Sequence, residues 1–489
     1  MLFNSYSYLI FLPVAAAVYF FLPAKAKRIW LLAASLFFYG CWRAEYLLLM
    51  VFSIAVTFVC GLAIAAVDNS GTDERTKKKR RLAVLIASLA INLAILFFFK
   101  YFNFVADLVG SLLRREAVAF LDVALPVGIS FYTFQALGYT IDVYRGDIPA
   151  ERSFIKYAVF VSFFPQLVAG PIERAGRLLP QFDAPMPGFQ YENMRDGLIL
   201  IAWGFFQKLV IADRVAMFVN KAFDDWQNVG GLALLVAAVF FAIQIYCDFA
   251  SYSNIARGSA QIMGFSLMRN FDSPYFATSL ADFWNRWHIS LSSWFRDYLY
   301  IPLGGNRKGL VRGCINILII FFASGLWHGA NLTFVCWGLL HGVARAVGAA
   351  TKKFRATLRS RLGLERSLIY KFVQGLFVFA FVVFAFIFFR ADSVSQAVGI
   401  IRLIFTDFAP RANLFALGLD GADMVVLLAS LLTLAAVDAF AHKTDLREKL
   451  VALPTAARWS LYLVGIAIIA VFGVYGPAYD AAPFIYFQF

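Results

Sequence analysis

Histidine, paired cysteine and charge are all scarce in this sequence. It has four histidines and five cysteines in 489 residues. Cys41, Cys60, Cys247, Cys314 and Cys336 form no CxxC pair, and most lie within apolar runs. They read as small packing residues, so neither a metal site nor a disulfide framework is expected. Charged residues make up only 15% of the chain. A soluble domain carries about 25%, so a soluble globular protein is excluded. The first residues, Met1-Leu2-Phe3-Asn4-Ser5, hold no cation ahead of the apolar run. That argues for a retained first membrane helix and against a cleaved signal peptide. Short-period repeats and low-complexity tracts are also missing, and residues 1–489 are expected to form one integral membrane domain.

Apolar residues fill the space those absences leave. They make up 61% of the sequence, with 54 Phe, 21 Tyr and 10 Trp, and mean hydropathy is +0.72. Lipid is therefore the solvent for much of the surface, and aromatic rings suit both the interior and the headgroup belt. Long apolar runs fall near 6–23, 46–67, 82–104, 153–170, 196–220, 229–250, 370–390, 421–441 and 459–477. Shorter ones lie near 29–44, 123–141, 311–327 and 331–349. A spanning helix needs roughly 17–25 residues. The expectation is an all-α protein with roughly ten to twelve passes plus re-entrant or interfacial helices.

The net charge of +14 fits a polyanion binder or a membrane topology signal. The cations favour the second reading because they gather in short loops. Lys25, Lys27 and Arg28 form one patch, and Lys77 to Arg81 another. Lys352 to Arg366 and Lys443 to Lys449 hold the other two. All four are placed in the cytoplasm by the positive-inside rule, which puts both chain ends outside. No nucleic-acid partner is expected.

Two of the four histidines each follow a tryptophan, in Trp287-His288 and Trp327-His328, 40 residues apart. Ionisable groups in apolar surroundings are costly and are functional candidates. Trp284, Trp287, His288, Leu291, Trp294, Phe295 and Tyr298 recur at helical spacing, so 281–300 is expected to be one interfacial helix. Segment 308–352 reads as a hairpin with cationic feet. His328 lies 16 residues beyond Arg312, roughly 24 Å along a helix, which places it deep in the bilayer at the apex. His288, on the amphipathic helix, is expected to sit apart from it.

A buried neutral imidazole can take a proton from a hydroxyl or thiol. A packed histidine bonding a helix carbonyl accounts for His328 about equally well, and for His288 slightly better. Asn285, three residues before His288, would share its helical face. It could hold a carbonyl oxygen or make an interhelical bond. His341 and His442 are weaker candidates. Asp142 and Asp248 are acids in apolar settings, expected to pair with an arginine or orient an imidazole.

Several motifs carry a family resemblance. Phe283 to Ser292, Trp294 to Asn306 and Ser324-Gly325-Leu326-Trp327-His328-Gly329 resemble the membrane-bound O-acyltransferase family. Within it they are most similar to bacterial alginate O-acetylases and peptidoglycan O-acetyltransferases. Leu125 to Gln135, Phe163 to Ile172, Gln244 to Phe249, Phe388 to Ala391 and Pro483 to Phe489 look like the same branch. The resemblance implies a funnel-shaped helical fold and transfer of an acetyl group from acetyl-CoA, with no bound cofactor. It makes His328 the catalytic histidine and His288 its second histidine. Trp284, Asn285, Ser324 and Trp327 are expected to line the donor passage.

The closing residues Pro483 to Phe489 read equally as a headgroup anchor or as an insert placing Tyr486 to carry the acyl group. The resemblance further implies an inner-membrane protein serving an extracytoplasmic polysaccharide. Its expected partners are a periplasmic SGNH-like acetyltransferase and a polysaccharide-synthesis complex. Two rival classes share the composition, a transporter or export component and a scaffold with inert histidines.

Overall fold

Helices account for all the regular structure among the described residues. Lipid cannot satisfy backbone N–H and C=O groups, so a chain this apolar must pair them within each segment. The structure is a computed structural model that describes residues 1–113, 121, 123–409, 411, 413–441, 446–476 and 484–485.

Eight of the described helices are long and apolar enough to cross a bilayer. They are Glu45–Asp68, Glu74–Leu113, Gly231–Ile262, Leu310–His328, Leu332–Ala350, Leu368–Arg390, Gly421–Phe440 and Thr455–Phe472. Tyr6–Phe21 and Val394–Thr406 are shorter apolar helices. The protein is thus an all-α, multi-pass membrane protein. Two apolar runs read from the sequence take other forms. The 153–170 run is a helix only over Phe154–Ser162, followed by buried turns. The 196–220 run belongs to a helical stretch that buries Lys208, Asp213 and Arg214. Its charges face protein, as they must to be tolerated at membrane depth.

Backbone contacts divide the chain into two units, Met1–Ile201 with Tyr252–Met268, and Ala202–Ser251 with Arg269–Phe489. In the first unit, side-chain oxygens cap the helix starts. Ser5 accepts from the Tyr8 amide, Asp73 from Thr76 and Ser153 from Lys156. Buried hydroxyls then join helices across it. Tyr8 Oη and Ser259 Oγ lie 2.6 Å apart, and Tyr157 donates to Thr57 Oγ1 at 2.7 Å. Ser53 donates to Asn92 Oδ1 at 2.6 Å. Where hydrocarbon surrounds the helices, such bonds and close packing hold them together.

The second unit contains both tryptophan-flanked histidines. Its hairpin pairs Leu310–His328 with Leu332–Ala350 at very close range. A Cβ on Gly325 would lie 2.4 Å from the Phe334 carbonyl oxygen, and one on Gly338 2.3 Å from that of Phe321. Only glycine permits this approach. Asn331 caps the return helix by accepting from the Thr333 amide. The first helix ends at His328, so the imidazole sits at the hairpin apex. Leu368–Arg390 packs against the return helix, and its Phe389 ring lies 4.8 Å from Phe334.

Candidate active site

The segment carrying His288 is not one continuous helix. Ser279 caps a first turn by accepting from the Asp282 amide. The helix runs over Leu280–Arg286, with Arg286 paired to Asp282 at 2.7 Å. A second helix, Ile289–Phe295, begins after the break and passes into a π-helical turn over Arg296–Tyr300. Trp287 is extended, and His288 takes a left-handed conformation with φ of 44°. A non-glycine residue there costs on the order of 1–3 kcal/mol and persists only where neighbours impose it. Asn270 imposes it here. Its backbone carbonyl accepts from the Ile289 amide at 2.9 Å, and its Oδ1 accepts from Ser290 Oγ at 2.7 Å.

The break corrects two expectations from the sequence. Asn285 and His288 do not share a helical face, because the helix ends between them. The two histidines also lie together, with ring centroids 6.3 Å apart. His288 is fully buried, with Phe249 edge-on at 4.6 Å and Trp327 at 5.7 Å. His328, 4% exposed, meets Trp327 and Trp337 at 5.0 Å and Phe389 at 5.3 Å. Burial pushes the His288 imidazole down to about 3. Its ring is therefore neutral at physiological pH.

Beside this aromatic cluster is a cavity of about 330 Å³ whose walls include Trp284, Asn285, Ser292, Ser324 and Arg345. Ser324 stands one helical turn before His328, about 5–6 Å between Cβ atoms. Trp284 touches Trp337 at 5.8 Å, and Trp337 in turn packs on His328. The expected passage residues thus divide. Trp284, Asn285 and Ser324 line the cavity, while Trp327 packs between the two histidines. A larger space of about 1140 Å³ shares Tyr300, Asn306, Ile317 and Arg345 with the first and reaches Lys352 and Arg355.

At this site, Trp337 was not singled out in the sequence, and His341 was read only as a weaker candidate. Trp337 and His341 are buried within it, and Trp284 Nε1 donates to His341 Nδ1 at 3.3 Å. That bond makes His341 an acceptor and fixes the Trp284 ring at the cavity wall. Trp337, His341 and Arg345 recur every four residues, a helical stripe that could have revealed them. Asn270 had no such signal, because its role depends on a distant loop. Asp248 pairs with Lys208 at 2.6 Å, not with an arginine or an imidazole. Tyr486 and His442 lie outside the described residues. Among the described residues, no group of three His, Cys, Asp or Glu is placed to hold a metal.

Comparison with known proteins identifies the class. The family model for MBOAT, the membrane-bound O-acyltransferase family, matches residues 147–389, which contain both histidines. The chain is 37% identical over 442 residues to the probable alginate O-acetylase AlgI of Pseudomonas putida, covering 89% of this chain and 87% of that protein. The chain belongs to the membrane-bound O-acyltransferase family. It is also 35% identical to the peptidoglycan O-acetyltransferase of Helicobacter pylori, over 82% of this chain and 79% of that protein. A teichoic acid D-alanyltransferase of Streptococcus thermophilus is 28% identical over 52% of this chain and 64% of that protein. Membership makes the protein an O-acyltransferase, in place of the transporter and scaffold readings.

Proposed function

We propose that the enzyme relays acetyl groups from cytoplasmic acetyl-CoA toward an extracytoplasmic polysaccharide, with His328 as the general base. The observation that carries this reading is the burial of His328 beside His288 at a hairpin apex, one turn from a cavity. The extended identity to an alginate O-acetylase and a peptidoglycan O-acetyltransferase supports the acetyl group and the polysaccharide. The polysaccharide is an exopolysaccharide such as alginate, or another cell-surface glycan.

In the reaction, an acceptor hydroxyl attacks the thioester carbonyl of acetyl-CoA. His328 takes the hydroxyl proton as the new ester C–O bond forms. The carbon–sulfur bond breaks, and the proton passes to the departing CoA sulfur. A neutral imidazole suits both halves, accepting in the first and donating in the second. Asn285, on the cavity wall, offers an amide N–H to the oxygen that gains charge. His288 supports the His328 ring within the aromatic cluster. The cations Arg345, Lys352 and Arg355 at the larger space suit the phosphates of CoA.

The first acceptor in this proposal is the Tyr486 phenol. A phenol has a pKa near 10 and needs a base to become a nucleophile. Its acetyl ester would then pass the group outward, to a periplasmic SGNH-like acetyltransferase associated with polysaccharide synthesis. The four basic loops support a donor side in the cytoplasm of an inner-membrane protein with both ends outside.

The test is polymer acetylation in cells that express His328→Ala at wild-type membrane levels. Loss of acetylation is expected, and wild-type acetylation would reject the assignment.

A further inference from the structure

A second polar centre lies in the same unit, and the proposed chemistry makes no use of it. Lys208 Nζ contacts Asp248 Oδ1 at 2.6 Å and Asp213 Oδ1 at 2.9 Å. The three side chains are 2% to 4% exposed. Lys208 lies in a π-helical segment, Phe206–Ala212, a geometry often found at functional sites. Two carboxyl groups share this one ammonium. A buried anion needs further donors, because water cannot reach it.

The closing segment of the chain supplies one. The Ile485 amide donates to Asp248 Oδ2 at 2.6 Å, using the carboxylate oxygen that Lys208 does not. Phe484 presents its ring to Lys208 Nζ at 4.6 Å. Both residues are buried, Phe484 at 2% and Ile485 at 3%. The preceding stretch is tied to the same helical region, since the Val474 amide donates to the Leu209 carbonyl at 2.9 Å. Arg214 Nη2 also donates to the Phe472 carbonyl at 2.9 Å. A headgroup anchor would leave an aromatic end on the surface, whereas these two residues are enclosed by protein.

We propose that Lys208, Asp213 and Asp248 form a seat for the closing segment, gripping it by the Ile485 backbone amide and the Phe484 ring. The next residue in sequence is Tyr486, the proposed acyl acceptor. Asp248 and Lys208 are then positioning residues for the acyl acceptor, a role that rests on Tyr486 carrying the acetyl group. Ile485 is held both through its backbone N–H and through a side chain packed in the hydrophobic core.

The test uses the full chain in detergent micelles and compares Asp248→Asn, Ile485→Pro and Tyr486→Phe. Ile485→Pro removes the donor N–H together with a packed side chain, whereas Asp248→Asn leaves both in place. Amide hydrogen exchange of the closing peptide is read by mass spectrometry. Asp248→Asn should speed exchange at Ile485 about tenfold, and Ile485→Pro should speed it at the flanking amides. Both should slow acetyl transfer about tenfold while the KM for acetyl-CoA stays within about twofold. A merely structural lesion would disturb donor binding as well. Wild-type exchange in both variants would overturn the seat, and faster exchange with unchanged transfer would overturn the positioning role. Tyr486→Phe should keep wild-type exchange and lose transfer. Should it transfer normally, the carrier reading fails while exchange still judges the seat.

Discussion

Two buried polar centres in one structural unit have contrasting surroundings. Around His328 and His288 the neighbours are rings, namely Trp327, Trp337, Phe389 and Phe249. Around Asp248 the partners are an ammonium and a backbone amide. The first environment keeps an imidazole neutral, so it can accept a proton and then return it. The second fixes full charges against each other, so nothing there can move without breaking a strong bond. Under the proposed function, reactivity and placement are held in separate places.

The sharpest contrast is between His328→Gln and Asp248→Asn. Losing a general base costs about 100- to 10,000-fold in rate, against the roughly tenfold expected at the seat. Equal losses measured in one transfer assay would erase the distinction between the two centres. Next in size is Gly338→Ala. Its Cβ would meet the Phe321 carbonyl oxygen at 2.3 Å. Opening the hairpin should cost about 1–3 kcal/mol, read as a lower thermal midpoint in micelles, with the His328 apex displaced and transfer reduced. The same change at a loosely packed position such as Gly465, where a Cβ would meet no atom within 4 Å, should be silent.

A smaller effect concerns acid stability. The folded His288 value lies near 3, below its ordinary 6.5. Between those limits the unfolded chain binds more protons, so stability rises with pH across that window. The contribution is fully present above about 6.5 and is lost as pH falls toward 3. His288→Phe should flatten that part of the stability–pH curve. A curve as steep as wild type would show that another group controls the acid limb. The smallest expected change is at Arg355, at the edge of the larger cavity. Arg355→Ala should raise the KM for acetyl-CoA by about two- to tenfold, roughly one exposed charge contact, with kcat little changed.

The helical class was legible because a chain so apolar must pair its backbone within helices, and the hairpin because its ends are cationic. The hairpin reading also placed His328 correctly at the apex. Other features depended on contacts that no local pattern encodes. The break at Trp287–His288 is set by Asn270, across the chain from it, so the aromatic stripe read as one helix. That reading kept the two histidines apart when the structure brings them together. Asp248 was legible as a buried acid but not its partner, because Lys208 lies 40 residues away inside an apolar run. The stripe of Trp337, His341 and Arg345 was visible, yet only His341 was weighed, and as a weaker candidate, since an aromatic stripe is more often core than site.

The most direct test of the account is a single-turnover measurement on purified protein. Radiolabelled acetyl-CoA would be mixed with wild type and with His328→Ala, with donor binding measured in parallel. The account predicts unchanged donor affinity and near-complete loss of acetyl transfer in the variant. Transfer at the wild-type rate, with donor bound equally well, would contradict it.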